Sequence, residues 1–252
     1  MPIKLGGILL SVLLLSLCSQ PQASHQPTPK TDIVIQAPSP SPSPAAAAAA
    51  PPPPPPPSPT PLPQSVLIKV PYTSQAPYAN WATHEDYCEA AAILMYRDYL
   101  RGDRRSDIPA AEADADMTGI IKYERSYFNQ AHPDLTLQQM GTVAANLYGF
   151  HAQVGPVSVD AIKHSIAGGH PVIIPVMTHG APGGQKLSPA YGYENVYHVL
   201  LLVGYDANHL FANDAGFMGG GDYAYTWYTL SSAIDAQNPK MGQGRVMLTL
   251  GR

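Results

Sequence analysis

A proline-rich block divides this chain of 252 residues into two parts of very different composition. Of its 28 prolines, 14 fall between Pro38 and Pro63, beside runs of alanine and serine. Such a segment favours polyproline II and offers few branched apolar side chains for a core. We therefore interpret residues 19–64 as a disordered linker that acts as a semi-rigid spacer, and residues 65–252 as one folded domain.

The first 18 residues form a distinct segment. Lys4 is followed by an apolar stretch, residues 5–17, which is short for a membrane span and typical of a secretory signal. The sequence LSLC ending at Cys18 resembles a bacterial lipobox, although Leu17 stands where such boxes usually have a smaller residue. Cleavage within the following SQPQAS is the alternative. Residues 1–18 are therefore predicted to direct export to the cell envelope or beyond it, with or without a lipid on Cys18.

Charge and composition exclude two classes of partner. The formal net charge is -4, with 13% charged and 45% hydrophobic residues. The folded domain carries 12 Lys and Arg against 17 Asp and Glu, and it has no basic run. We therefore expect no nucleic-acid partner, and no membrane contact apart from the N-terminal signal or lipid anchor. The oligomeric state is left open.

Helical patterns precede strand patterns in the folded domain. A short strand, SVLIKV, is expected to open it and to end at Pro71. Apolar side chains recur at helical spacing in residues 87–100 and 137–148, and SVDAIKHSIAGG predicts another short helix closed by glycine. The segments PVIIPVMT, NVYHVLLLVGYD, HLFAND and GRVMLTL then predict successive strands. This order favours an α+β domain with an antiparallel sheet.

Cys88 is the one cysteine in the folded domain. A secreted domain stabilised by disulfides would be expected to carry an even set, so Cys88 is a free thiol, an intermolecular bridge or a reactive group. Asp86 is the predicted N-cap of the helix, with Glu89 completing a capping box, which places Cys88 in the first turn. The helix dipole there favours a thiolate. A buried, unreactive cysteine is the alternative.

His198 stands alone among apolar residues in VYHVLLLVGY, which otherwise predicts a buried strand. A core histidine is one interpretation. However, a turn centred near Asp206 would set His198 directly opposite Asp214, since each is eight residues from that centre. A carboxylate in that position would fix the imidazole tautomer and stabilise its cation. Gln75, thirteen residues before Cys88, is a candidate donor to an oxyanion.

Five motifs in order, VPYTSQ, ANWATHEDYCEAAAILM, GGHPVIIPV, YHVLLLVGYD and FANDAG, resemble the bacterial peptidase-like domains related to double-glycine bacteriocin-leader peptidases. These domains lie within the papain-like cysteine peptidase superfamily, and the resemblance covers most of residues 66–250. It implies a papain-like fold in which an N-terminal helical part carrying the Cys helix packs on an antiparallel sheet carrying His and Asp. It also implies that Gln75 is the oxyanion donor, Cys88 the nucleophile, His198 the base and Asp214 its orienting partner.

Two positions depart from the pattern of that family. Many relatives have Cys-Gly where this chain has Cys88-Glu89, and relatives often have Asp-Pro where it has Asp214-Ala215. Neither departure removes a catalytic group, but both leave substrate specificity open.

The function implied by the resemblance is that of an exported cysteine peptidase or amidase acting on a peptide or protein substrate. We expect no cofactor and no metal, because THEDY lacks the second histidine of HExxH and the chain has neither C-x-x-C nor G-x-S-x-G. A peptidoglycan amide hydrolase of the cell envelope is one alternative. A non-catalytic papain-like binding module is another.

Overall fold

A computed structural model describes residues 61–131, 134–192 and 194–252. The chain divides into two units, Met1–Pro56 and Pro57–Arg252, and the described residues belong to the second. The predicted signal segment and most of the predicted linker lie outside the described residues. Among the residues that are described, no helix has the length and apolar character that crossing a membrane would need.

The described residues form a helical part followed by an antiparallel sheet, as the order of the sequence patterns predicts. The helices are α1 (Trp81–His84), α2 (Cys88–Leu100), α3 (Ala110–Phe128), α4 (Leu137–Tyr148), α5 (Val159–Ala167) and α6 (Trp227–Met241). The strands are β1 (Val66–Leu67), β2 (His151–Pro156), β3 (Val172–Met177), β4 (Tyr197–Tyr205), β5 (His209–Asn213), β6 (Tyr223–Thr226) and β7 (Val246–Gly251).

The sheet has the strand order β2-β7-β3-β4-β5-β6, and β1 pairs with β4 outside this path. Every residue of β4 is buried, which explains its continuous apolar sequence. Its side chains alternate between two clusters. Val199, Leu201 and Val203 join the core formed with α2 and α4, whereas Leu200 and Leu202 join the core formed with α5 and α6. Helices therefore cover both faces of the sheet, and the α+β prediction is confirmed.

The start of α2 differs from the prediction. Its N-cap position is Tyr87, and no side chain caps the helix there, so the assignment of Asp86 as the N-cap is wrong. Glu89 forms no capping box because its side chain turns into the core. Cys88 is nevertheless in the first turn, as expected, and is the first residue of the helix. Eleven consecutive residues from Cys88 are buried, so α2 is surrounded by protein.

Five elements were not predicted individually, namely α1, α3, β2, β6 and α6. Pro239 lies inside α6, and an internal proline is normally a sign that a helix has ended. The expected first strand is also shorter than its pattern suggested, since β1 contains only two residues.

The pairing of β4 with β5 differs by two residues from the predicted register. The prediction placed His198 opposite Asp214, but Leu201 pairs with Asn213, and β5 ends there. A β-bulge in β4 shifts the register, and the turn is centred later in the chain than Asp206. The predicted direct pairing of His198 with Asp214 is therefore wrong.

His198 and Asp214 still lie on the same face of the sheet. Side chains alternate along a strand, so a register change of two residues keeps both on the side where they were expected. Diagonal neighbours across two strands are within reach of long side chains. The contact between the two residues therefore forms through a different register.

Gly220 lies where the chain passes closest to the backbone of Asp214. Its carbonyl accepts the Asp214 N–H at 2.9 Å, and a Cβ added at Gly220 would lie 2.0 Å from the Asp214 carbonyl oxygen. The contact is with backbone atoms, which cannot rotate away. Gly220 is thus required for the close approach that holds Asp214 in place.

We expect Gly220→Ala to destabilise the domain by about 2 kcal/mol or more, because the backbone at Asp214 must move. Gly119→Ala is the matched control, since Gly119 is inside α3 and an added Cβ would meet nothing within 4 Å. That variant should be neutral or stabilised by about 1 kcal/mol. Urea unfolding of both proteins measures the difference, and equal stabilities would contradict the close-approach explanation.

Candidate active site

The thiol of Cys88 lies between α2 and the first residues of β4. Its Sγ donates a hydrogen bond to Glu89 Oε2 at 2.8 Å and accepts one from the backbone N–H of Val199. Val199 directly follows His198, so the sulfur lies against the strand that carries the histidine. Cys88 is a free cysteine with 4% of its surface exposed. The hydrogen of the predicted nucleophile is therefore held by Glu89, and its transfer to His198 stays a prediction.

Burial raises the pKa of the Cys88 thiol well above its usual range, and the neighbouring charge of Glu89 raises it further. The Val199 N–H acts in the opposite direction, as does the start of the helix. A helix dipole contributes roughly 0.3–1 kcal/mol in ordinary settings. Complete burial can shift a pKa by about 3 to 5 units, which is a larger effect. Burial therefore outweighs the helix dipole that the sequence analysis expected to favour a thiolate.

Glu89 is itself a buried acid, with 1% of its surface exposed. Its second oxygen, Oε1, accepts the backbone N–H of Leu135 at 3.0 Å. Burial raises the pKa of Glu89 to about 7, although the hydrogen bonds from Cys88 and Leu135 act to lower it. Glu124 on α3 is also buried, and burial together with the charge of Glu89 raises its pKa to about 8. Glu89 and Glu124 are therefore two buried carboxyl groups that influence each other near Cys88.

Asp214 is fully buried and accepts several hydrogen bonds. His198 Nε2 and the backbone N–H of Gly216 contact Oδ1, each at 2.9 Å. The hydroxyl of Tyr191 lies 2.8 Å from Oδ1 and 2.7 Å from Oδ2, and the hydroxyl of Tyr225 donates to Oδ2 at 2.6 Å. Burial acts to raise the pKa of Asp214, but the charge of His198 and these hydrogen bonds outweigh it, so the pKa lies below its ordinary value. The carboxylate stays ionised.

Tyr191 and Tyr225 are contacts that the sequence analysis missed. Tyr225 belongs to β6, which was not predicted, although the alternation in DYAYTWY is a strand signal beside HLFAND. Tyr191 lies in the segment between β3 and β4, and its ring also packs edge-on against His198 with 5.7 Å between centroids. No local pattern marks that tyrosine as a neighbour of Asp214.

Gln75 lies in the loop after β1 and is largely buried. Its Nε2 group donates two hydrogen bonds of 2.9 Å, one to the carbonyl of His84 and one to the carbonyl of Glu85. Its backbone N–H donates to the carbonyl of Ala215. Both hydrogens of the Gln75 amide are therefore already used in this conformation, and its role as an oxyanion donor stays a prediction.

A cleft of about 780 Å³ opens above these residues. Its walls include Gln75, His198, Tyr191, Trp81, Phe217, Met218, Val196, Glu85, Asp86, Asp134, Glu194 and Lys240. Lys240 pairs with Asp134 at 2.6 Å, so the remaining charged groups of the wall are acidic. Cys88 is buried beneath the surface of the cleft and does not line it. Among the described residues, no three His, Cys, Asp or Glu side chains are grouped to hold a metal ion.

Comparison with known proteins identifies the family of the chain. Residues 67–236 match the model of the Peptidase_C39 like family, which is more than half of the chain. The chain belongs to that family. The resemblance drawn from the five sequence motifs is therefore confirmed. Membership supports a cysteine peptidase that acts on a peptide or protein substrate.

Two solved structures were found to be similar to this C39-like chain. A putative C39-like peptidase from Bacillus anthracis matches with 15% identity, over 75% of this chain and 98% of that one, at a TM-score of 0.50. Xylellain, a cysteine protease from Xylella fastidiosa, matches with 15% identity, over 75% of this chain and 86% of that one, at a TM-score of 0.37. No curated protein sequence matches the chain. The first of these similarities shows the papain-like fold.

Tyr225→Phe tests how far the hydroxyl groups around Asp214 support a C39-like active site. The change keeps the ring and removes one donor to Oδ2. Hydrogen bonds to charged groups contribute roughly 1.5–3 kcal/mol, so kcat/KM for peptide hydrolysis should fall at least about tenfold. Because the carboxylate loses a donor, the pKa of Asp214 rises, and the acid limb of the pH–rate profile should move to higher pH.

Tyr223→Phe is the control for this change, since Tyr223 is two residues earlier in the same strand and packs against the ring of Tyr225 without bonding to Asp214. Its pH–rate profile should match that of the unmodified protein. If the two variants behave alike, the hydroxyl of Tyr225 has no role in holding Asp214.

Proposed function

We propose that this chain is an exported cysteine peptidase or amidase that cleaves a peptide amide bond. Cys88 is the nucleophile, His198 is the general base and acid, and Asp214 orients the imidazole. The observation that carries the proposal is the 2.9 Å contact between His198 Nε2 and Asp214 Oδ1, next to a thiol that bonds to the N–H of Val199. The first contact supports His198 as an oriented base, and the second supports Cys88, at the start of a helix, as its partner because Val199 directly follows His198.

The contact with Asp214 assigns the two nitrogens of His198 to different roles. Nε2 is engaged by the carboxylate, so Nδ1 is the atom available to take the Cys88 proton. The thiolate then attacks the amide carbonyl, and the imidazolium gives its proton to the leaving amine. Water attacks the resulting thioester with His198 as base, which releases the acid product and the thiolate.

Two donors are available to the oxyanion that forms in this reaction. The backbone N–H of Cys88 is at the first position of α2, where it has no acceptor within the helix. The amide of Gln75 is the second, provided that one of its bonds to the carbonyls of His84 and Glu85 is released when substrate enters. Apo active sites often hold catalytic groups in such alternative contacts.

The state of Cys88 gives some support to a second candidate function, a papain-like binding module without turnover. The thiol is buried, hydrogen-bonded to Glu89 and raised in pKa, all of which oppose nucleophilic attack. The presence of His198 and Asp214 in contact favours the enzyme, because a binding module has no need of an oriented imidazole. Reactivity measurements on Cys88 distinguish the two functions.

Export is part of the proposal and follows from the N-terminal sequence alone. We infer that residues 1–18 direct the chain across the inner membrane and that Cys18 is either lipidated or removed. Metabolic labelling with palmitate in a bacterial host tests this directly. Label that is lost in Cys18→Ala supports an anchored enzyme, and the absence of label in both proteins indicates conventional cleavage.

Iodoacetamide labelling of Cys88 between pH 5 and 9, read by mass spectrometry of its peptide, tests the role of His198. At pH 6 we expect Cys88 to react faster than a model thiol, and His198→Ala to slow it at least about tenfold, because the imidazolium stabilises the thiolate. If Cys88 labels no faster than the model thiol and the histidine change has no effect, the binding-module function is favoured.

Hydrolysis is measured in parallel against a peptide library and against purified peptidoglycan. Cys88→Ala should abolish cleavage of whichever material is a substrate. Cleavage of peptidoglycan alone would identify the enzyme as a cell-envelope amide hydrolase. Cleavage that survives Cys88→Ala would exclude the proposed nucleophile.

Gln75→Ala separates oxyanion stabilisation from thiol activation. Loss of one oxyanion donor typically lowers kcat about 10² to 10³-fold. Alkylation by iodoacetamide forms no oxyanion, so the labelling rate of Cys88 should stay within about twofold of the unmodified protein. If both rates fall together, Gln75 acts by holding the backbone of residues 84 and 85 and not as an oxyanion donor.

A further inference from the structure

Glu89 contacts the reacting atom of the proposed active site, yet the mechanism above gives it no role. Its Oε2 accepts the Cys88 thiol at 2.8 Å, and its Oε1 accepts the N–H of Leu135 at 3.0 Å. The side chain is therefore fixed between the start of α2 and the segment that precedes α4. Few movements are open to it, because both oxygens are engaged and 1% of its surface is exposed.

The groups that face Glu89 come from four parts of the chain. Cys88 is its neighbour on α2, Glu124 faces it from α3, and Asp134 acts on it from the segment before α4. The charge of Glu89 also acts to raise the pKa of Tyr197 on β4. Each of these groups is neutral or negative, so none of them stabilises the negative charge of an ionised Glu89. Burial accordingly raises the pKa of Glu89 to about 7.

The two protonation states of Glu89 offer opposite hydrogen bonds to sulfur. As a carboxylate, Oε2 only accepts, so it binds the thiol hydrogen and repels a thiolate. As a neutral carboxyl, Oε2 carries a hydrogen and donates to a thiolate, while Oε1 continues to accept from Leu135. Exchange between the states needs one proton from solvent and no movement of the backbone.

We propose that Glu89 is a further residue of the catalytic centre that controls the ionisation of Cys88: its carboxylate keeps the proton on sulfur, and its neutral form donates a hydrogen bond to the thiolate. The assignment rests on the proposed function of Cys88 as nucleophile. In the activating step the S–H bond of Cys88 breaks and an N–H bond forms at Nδ1 of His198. The O–H of neutral Glu89 remains intact and points at the sulfur.

The pH dependence of this centre has a definite sign. Below pH of about 7, Glu89 is neutral and the thiolate gains a donor. Above it, Glu89 is ionised and the thiol is retained. The reactivity of Cys88 should therefore fall as the pH rises from 6 to 8. An ordinary thiol behaves in the opposite way, with a rate that rises about tenfold per pH unit until its pKa is reached.

Glu89→Gln in the full chain is the decisive variant, because glutamine reproduces the neutral acid. Its Oε1 can accept from Leu135, and its Nε2 hydrogens can donate to sulfur at every pH. We expect iodoacetamide to label Cys88 of this variant at least tenfold faster than that of the unmodified protein at pH 8, and the two at similar rates at pH 6. Mass spectrometry of the Cys88 peptide keeps the measurement separate from Cys18.

Glu124→Gln is the matched control, since it removes the other buried carboxyl without touching sulfur. Glu124 makes no hydrogen bond to the sulfur, and Glu89 keeps its bonds to Cys88 and Leu135 in this variant, so labelling of Cys88 should still fall between pH 6 and 8. Circular dichroism and thermal melting of each variant establish that the labelled protein is folded. Glu89→Asp provides a second variant if the glutamine protein does not fold, and it should retain the fall in labelling between pH 6 and 8.

Two results would overturn the proposal. One is a labelling rate for folded Glu89→Gln at pH 8 that does not exceed that of the unmodified protein. The other is a rate in the unmodified protein that rises between pH 6 and 8 as for a free thiol. Neither depends on a substrate, so they are distinct from failure of the peptidase function, which appears as cleavage that survives Cys88→Ala.

Discussion

The buried charge of Asp214 is the constraint on which the arrangement of the site depends. An uncompensated carboxylate in a protein interior costs several kcal/mol, so the surrounding chain must supply donors to it. Those donors come from His198 on β4, Tyr225 on β6, Tyr191 before β4 and the backbone of Gly216. Three other segments and the loop of Asp214 itself are thereby fixed relative to one oxygen pair. An imidazole held in this way has its ring orientation and tautomer set before any substrate arrives.

The proposed nucleophile is subject to the opposite balance. Cys88 is placed at a helix start, beside the N–H of Val199, and both features favour a thiolate. Complete burial and the adjacent Glu89 favour the thiol, and they prevail. This is expected, because a helix end carries only about half an elementary charge, whereas Glu89 when ionised carries a full one at hydrogen-bond distance. The thiol state is therefore a property of this residue pair and not of the fold.

The sequence was sufficient for the elements that have strong periodicity, and it identified the residues to which the proposed chemistry is assigned. The α2 helix, the strand β4 and the roles suggested for Cys88 and His198 all follow from local patterns and the order of motifs. The contact of His198 with Asp214 was expected for a partly wrong reason, since the bulge in β4 is not visible in the pattern. The predicted contact is present nevertheless, because an error of two residues in the register leaves both side chains on the same face of the sheet.

The features that the sequence did not predict depend on distant residues meeting in space. Glu89 looked like a capping residue three positions after Asp86, and only burial against Leu135 shows that it turns inward. Tyr191 and Tyr225 are 34 positions apart, and no periodicity links them to one carboxylate. Helix α6 was not predicted, and its last turn contains Pro239, which local propensity disfavours there. Propensity describes local preference, and each of these outcomes is set by tertiary packing.

Asp214 and Glu89 are both buried carboxyl groups of the proposed active site, yet their surroundings shift their pKa values in opposite directions. The pKa of Asp214 is lowered, so its contribution to stability is present above its unfolded-state pKa and is lost as the pH falls through the folded value. The pKa of Glu89 is raised to about 7, so its contribution is complete below its ordinary range near 4.5 and is lost as the pH rises through about 7. Both favourable states coexist only in mildly acidic conditions. In that range Asp214 is ionised beside His198 and Glu89 is neutral beside Cys88, which is the combination that a thiolate–imidazolium pair requires.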